Sequence, residues 1–475
     1  MSAPHPTIAT FPANVTAALA DASLRGALAR ATDLFAERRA SAIGAVPDWE
    51  TLREQARAVK AHTLAHLDRY LEEFSAKAEA AGARVHWARD AREACALVAE
   101  LAQRSGALRL VKSKSMTTEE IGLNAALACA GTEPVETDLG EWIIQLAGET
   151  PSHIIVPAIH KTKAQIAELF VEKLAIEPTD DVEQLTATAR RILREHFAKA
   201  DLGISGVNFG VAETGTILIL ENEGNVRLTT SLPRVHVAVM GIEKVIPRFA
   251  DLEVFLRLLP RSGTGQHLTS YQSLLTGPEP AGGEGPRELH LVLLDNGRAE
   301  LLRSAVTRQT LACIRCGACL NACPVYRAIG GHAYGSVYPG PIGAIFTPQI
   351  FGAEGAAHLP FASSLCGACR EVCPVKIDIP AVLLELRARL VAGERIGGET
   401  PARCSSAAER LGWRLWAWSC SGPRRFALAS WLARIAHGLG LLARLAPPLR
   451  AWARTRTVPE LARRPFRDEW SRRGR

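Results

Sequence analysis

The chain has 475 residues, room for two or three domains, and its 47% hydrophobic and 22% charged residues exclude a disordered polypeptide. The net charge of +7 is uneven: from Cys404 onward fifteen arginines stand against four acidic residues, with no lysine, so the tail is basic and the body mildly acidic. No apolar run reaches the roughly 18 residues a transmembrane helix needs, and the opening MSAPHPTIATFPANV lacks the basic and apolar regions of a secretory signal.

Arg38-Arg39 is a twin arginine, but the apolar stretch after it is cut short by Pro47 and Asp48, against an export reading. These features point to the cytoplasm, a reducing compartment where cysteines ligate metals more often than they form disulfides.

In chain order, residues 52–82 read as one long helix carrying Leu52, Val59, Leu67, Leu71 and Phe74. Strand-like Arg84–Ala88 follows, then helical 91–104, strand-like 107–112, helical 117–129, strands near 134–137 and 153–156, and helices over 161–174 and 181–200. Residues 205–221 alternate small and β-branched side chains around a Gly-rich bend, and 234–240 and 289–294 read as further strands. This rhythm predicts an α/β domain with a largely parallel sheet. The loop 277–286 (GPEPAGGEGP) precedes a strand and so lies inside that domain, and Gly397-Gly398 opens the Arg- and Trp-rich tail.

Seven cysteines form two runs. Cys313-x2-Cys316-x2-Cys319-x3-Cys323-Pro324 matches the bacterial ferredoxin pattern in full, and Cys366-x2-Cys369-x3-Cys373-Pro374 repeats most of it, Gly-Ala pair included. Three thiolates within seven residues reach one cubane only where the backbone turns tightly, which Gly317 and Ala318 allow. A zinc ribbon is the plainer reading of CxxC pairs, but zinc does not call for seven cysteines in this order with a proline after each run. Cross-ligation as in two-cluster ferredoxins gives Cys313, Cys316, Cys319 and Cys373 to one cluster, and Cys323, Cys366 and Cys369 to the other. Both are expected to be [4Fe-4S], although the second has only three thiolates. Its fourth position is Ser363, so its fourth iron is ligated by something else, Cys404 and Cys420 among the choices, or absent as in [3Fe-4S]. Cys95 and Cys129 read as core cysteines.

The run GVNFGVAETGTILILENEGNVRLTTSLPRVHVAVMGIEKV, with VKSKSMTTEEIGLN (111–124), ETDLGEWIIQLAGETPSHIIVPAIHKTK (136–163) and LTSYQSLLTGP (268–278), resembles the lactate-utilisation (LUD) domain family. The segments CPVYRAIGGHAYGSVYPGPIG and ASSLCGACREVCPVKIDIP are similar to those of its iron–sulfur members, subunits of bacterial L-lactate utilisation complexes. The resemblance covers roughly residues 50–395, and weakly the tail. It implies a fold like that of ribose-phosphate isomerases and CoA-transferases, partner subunits, and a role in oxidising L-lactate to pyruvate. It also makes Ser363 ordinary, because the family often has serine there.

The expected domains are an N-terminal extension (1–50), a LUD α/β domain (51–300), a helical two-cluster ferredoxin-like domain (301–395) and a basic tail (396–475). Within the LUD domain, Lys112, Ser113, Lys114 and Ser115 follow a strand end, where a cation and hydroxyls suit a small carboxylate such as L-lactate. A solvated basic loop is the competing reading. Glu213, in Glu213-Thr214-Gly215-Thr216, is a candidate base or, by analogy with CoA-transferases, a nucleophile, against a plain turn; His160 is a candidate proton carrier, against a structural histidine.

Lactate oxidation releases two electrons and cubanes pass one at a time, so a two-electron acceptor is expected on a partner. The only GxGxxA match, Gly438–Ala443, lies in the tail and follows no strand. The alternative function is a transferase or isomerase with structural or regulatory clusters. The tail holds six of the nine tryptophans, and 426–445 has one apolar stripe. Packing on protein is preferred there over contact with a membrane surface, and no nucleic acid-binding module is present.

Overall fold

The computed structural model describes residues 10–279, 283, 285–397, 406–438, 456, 462 and 464–473. Residues 1–403 form one compact unit and 404–475 a second.

Ten strands are described: β1 (Arg84–Ala88), β2 (Leu110–Lys112), β3 (Val135–Glu136), β4 (Leu202–Gly206), β5 (Phe209–Val211), β6 (Thr216–Glu221), β7 (Val235–Gly241), β8 (Val245–Ile246), β9 (Tyr271–Leu275) and β10 (Glu288–Leu294). Six of them build a wholly parallel sheet in the order β1-β10-β7-β4-β2-β3. β4 and β7 are buried at every residue, as strands covered on both faces must be. Val237 and Val239 pack with Val98, Leu101 and Leu127 on one side, while Ala238 and Met240 pack with Leu71 and Phe74 on the other. The remaining strands form a small sheet, β8-β5-β6-β9, with β5–β6 and β6–β9 antiparallel and β5–β8 parallel.

Some elements differ from expectation. The helix expected over 52–82 is two, Trp49–Ala65 and Leu67–Ala80, because His66 leaves the helical region at φ −130°. The stretch 117–129 likewise divides into Met116–Glu120 and Leu123–Cys129 at left-handed Gly122. Residues 153–156 are a bend and not a strand: the His153 ring accepts the backbone N–H groups of Ile155 and Val156 and curls the chain back. Residues 11–44, expected only as an extension, form two helices, Phe11–Ala20 and Ala22–Gly44. They lie on the cysteine-bearing region, where Asp33 pairs with Arg327 and Arg39 donates to the carbonyl of Val372 at 3.1 Å.

One apolar core runs from those helices through Phe209, Leu218 and Phe255 to Tyr326, Ile345 and Leu386, so the sheet region and the cysteine region share an interior. A charged seam crosses the same junction. Arg298, wholly buried, holds Glu120 with both terminal nitrogens at 2.8 Å and Glu243 through Nε, while Tyr338 donates to Glu120 at 2.8 Å. The backbones also meet closely at Gly331, where a Cβ would sit 1.9 Å from the Ser152 carbonyl oxygen. Gly331→Ala is therefore expected to cost about 1–3 kcal/mol, read as a lower urea midpoint.

In the tail, helices Ala407–Cys420, Pro423–Gly438 and Phe466–Arg473 are described, with Trp413, Trp416, Trp418, Trp431 and Trp470 exposed. The expected apolar stripe over 426–445 is described only to residue 438, and Cys404 lies outside the described residues; Cys420 is exposed in this unit. Among the described residues, no helix is long and apolar enough to cross a membrane.

Candidate metal centre and adjoining pocket

The first cysteine run folds tightly because two residues take the left-handed conformation, Arg315 at φ 60° and Gly317 at φ 71°. Gly317 then caps the short helix Ala318–Ala322, and Cys323 caps Pro324–Ile329, its sulfur accepting the Tyr326 N–H at 3.5 Å. These turns bring Cys313, Cys316 and Cys319 onto one cavity with Cys373 of the second run, among Ile154, Ile314, Ile342, Val375, Ile377 and Ile379. Cys323 instead neighbours Cys366 and Cys369.

All ten described cysteines are free. Burial, reinforced by the neighbouring thiols Cys373 and Cys313, holds the Cys316 thiol well above its ordinary range; burial likewise raises Cys373 to about 11 and Cys369 to about 12. Cys366 runs the other way, lowered by the N–H of Ala368 and the Ser364 hydroxyl. A metal held here must displace the protons of these buried thiols, so its binding releases protons and depends on pH. Four cysteine side chains converging on one largely apolar cavity fit an iron–sulfur cubane. The second run is held from outside by Arg53, which donates to the carbonyl oxygens of Cys373 at 2.8 Å and Glu371 at 2.8 Å.

Beside this cavity lies a pocket of about 370 Å³, at the carboxyl ends of the parallel strands, where such sheets present ligand sites. Lys114 and Ser115 follow β2, Asp138 follows β3, Asn208 follows β4 and Lys244 follows β7; Glu221 and Glu223 come from the end of β6. Arg315 and Ile154 line both the pocket and the cysteine cavity. Arg315 stacks on Phe346 and Tyr338 and reaches Glu243 at 3.5 Å, while its Nη1 is buried without a hydrogen-bond partner. Burial lowers Lys244 to about 8, and burial followed by the nearby Asp138 raises Glu223 to about 7. Carboxylates and cations lining one pocket can bind a small anion and exchange a proton with it. A larger groove, about 710 Å³ and mostly apolar, lies between the outer helices and contains no cysteine.

Of the six candidate site residues read in the LUD domain, only Lys114 and Ser115 line this pocket. Lys112 is wholly buried, with Glu136 at 2.7 Å and Glu119 at 3.0 Å; burial alone would lower its pKa, but those carboxylates outweigh it and raise it. Ser113 is buried at the same strand end. Glu213 is exposed in the β5–β6 turn and accepts the Phe249 N–H at 2.8 Å, a loop-fixing bond. His160 bonds Glu149 at 2.7 Å and packs on His332, away from the pocket lining. Sequence reasoning missed Arg315, Lys244, Asp138, Glu221 and Glu223; only Arg315, lodged within a CxxC pair, carried a local signal.

Comparison with known proteins matches the LUD domain to residues 71–294, a 4Fe-4S dicluster domain to 309–377, and the C-terminal region of lactate utilisation protein B to 386–475. Lactate utilization protein B of Bacillus pumilus is 43% identical over 98% of this chain and 97% of its own, and that of Macrococcus caseolyticus 42% over 97% and 96%. The uncharacterized electron transport protein YkgF of Escherichia coli is 45% identical over 83% of this chain and 82% of its own. A crystal structure of a DUF162 family protein from Deinococcus radiodurans aligns with 48% of this chain and 98% of its own at 14% identity and a TM-score of 0.28, a likeness that carries no argument. With a LUD domain, a 4Fe-4S dicluster domain and relatives of one description along nearly its whole length, the chain belongs to the lactate utilisation protein B family.

Proposed function

We propose that this chain is the iron–sulfur electron-transfer subunit of a complex that oxidises L-lactate to pyruvate. The observation that carries the reading is the shared wall: Arg315 and Ile154 bound both a pocket suited to a small carboxylate and the cavity of Cys313, Cys316, Cys319 and Cys373. Those four cysteines hold one cluster, and Cys323, Cys366 and Cys369 supply three thiolates to the other. When bound, the clusters supply acceptance and release of single electrons.

The chain's own residues do the rest. Arg315, Lys114 and Lys244, which line the pocket, receive the substrate carboxylate, and Glu223, near half-ionised at neutral pH, takes the hydroxyl proton. The two-electron acceptor sits on a partner subunit. The names of the relatives, lactate utilization and electron transport, support this reading.

The test uses anaerobically purified chain with its partner subunits: lactate should bleach the visible absorbance of the clusters, and a complete complex that stays oxidised would refute the relay. A pH profile tests the pocket. With Glu223 at about 7, lactate-driven reduction should fall as pH drops through 7 and Glu223 is protonated. Glu223→Gln, which keeps an acceptor for the Leu139 N–H, should lower the rate and flatten that acid limb.

A further inference from the structure

The second cysteine run is a backbone copy of the first. Leu365 at φ 55° and Gly367 at φ 87° repeat Arg315 and Gly317, each just before and just after the second ligand position. Gly367 caps the short helix Ala368–Glu371 as Gly317 caps its own. The Cys373 N–H donates to Arg370 at 3.3 Å, as Cys323 does to Leu320 at 3.1 Å. In this register Cys366, Cys369 and Cys373 occupy the places of Cys316, Cys319 and Cys323, and Ser363 takes that of Cys313.

The side chains agree with the backbone. The Arg315 N–H donates to Cys313 Sγ at 3.4 Å, and the Leu365 N–H donates to Ser363 Oγ at 3.2 Å. The hydroxyl oxygen therefore stands in its own turn as the thiol sulfur stands in the first. Arg387 fixes this segment, donating to the carbonyl oxygens of Pro360 at 2.8 Å and Ser363 at 3.1 Å. The neighbouring Ser364 has a different task, since its hydroxyl bonds the Cys366 thiol.

We infer that Ser363 Oγ is the fourth protein ligand of the second cluster, making it a four-iron centre with three thiolates and one serine oxygen. This rests on the assignment of Cys323, Cys366 and Cys369 to that cluster. On ligation an iron–oxygen bond forms and the hydroxyl O–H breaks, its proton leaving to water, with no change of oxidation state. Oxygen is a harder donor than thiolate and favours ferric iron, so this cluster should have a lower potential than a four-thiolate version in the same site.

The experiment is iron and sulfide analysis with Mössbauer and electron paramagnetic resonance spectra of the full chain, kept from oxygen. Wild type should hold about eight irons, and Ser363→Ala about seven, with a new three-iron signal when oxidised. Ser363→Cys should keep about eight and move one cluster to higher potential. A wild type that already shows the three-iron signal, a Ser363→Ala protein with unchanged spectra, or an equal loss in Ser364→Ala would overturn the assignment. Should Ser363→Ala fail to fold, Ser363→Cys decides, and an unchanged potential overturns it. Cys369→Ala separates this from the underlying reading: if the second cluster survives that change, the cysteine assignment itself is at fault.

Discussion

Cys373→Ala should remove the cluster beside the pocket, although Cys373 belongs to the later cysteine run. The structure gives its sulfur to the cavity of Cys313, Cys316 and Cys319, while Cys366 and Cys369 lie with Cys323. Iron should fall by about half, and lactate-driven reduction should drop by more than the roughly 10- to 100-fold that follows loss of a group merely supporting a metal ligand. Cys369→Ala should leave the spectrum of the pocket-side cluster intact. Anaerobic resonance spectra of the two variants check the pair. If Cys373→Ala instead erases the centre that Cys369→Ala erases, the two runs do not cross and each holds its own metal.

Arg298→Met should be the most damaging change outside the cysteines. It strands Glu120 and Glu243, both buried to within a few per cent, without their guanidinium. Losing one side of a buried ion pair costs about 3–5 kcal/mol. The effect should also carry a pH signature. Burial alone would raise Glu243, but Arg298 and then Arg315 outweigh it and hold it at about 2. Its contribution is therefore present above the ordinary carboxylate range and fades as pH falls toward 2. Without Arg298, Glu243 protonates at higher pH, so the gap between variant and wild type should be widest near neutrality and narrow on acidification. Urea unfolding at a series of pH values checks both size and trend. Arg298→Lys should recover only part of the loss, because a single ammonium cannot hold Glu120 through two parallel bonds.

The parts legible in the sequence were those whose signal is local. Cysteine spacing reports a turn within seven residues, and the apolar runs of β7 and β10 report strands covered on both faces. What escaped depends on distant partners. No periodicity marks His66 as a helix break, and residues 153–156 look extended until the His153 ring is seen gathering two backbone N–H groups. The pocket is assembled from the ends of five strands, so Lys244 and Glu223 acquire meaning only beside Arg315. Lys112 and Lys114, two residues apart in a strand-end loop, look equivalent in sequence. One is committed to buried glutamates, and the other reaches the pocket and donates to the Ile155 carbonyl at 2.6 Å.

The hold of Arg53 on the Cys373 carbonyl spans 320 positions of the chain. A ribosome that has just released Cys313, Cys316 and Cys319 has not yet made the sulfur that closes their set, and the amino-terminal helices meanwhile lack the surface on which they rest. Completion of the pocket-side centre is thus deferred until the second cysteine run has emerged. Iron can be locked into that centre only after Cys373 has been made.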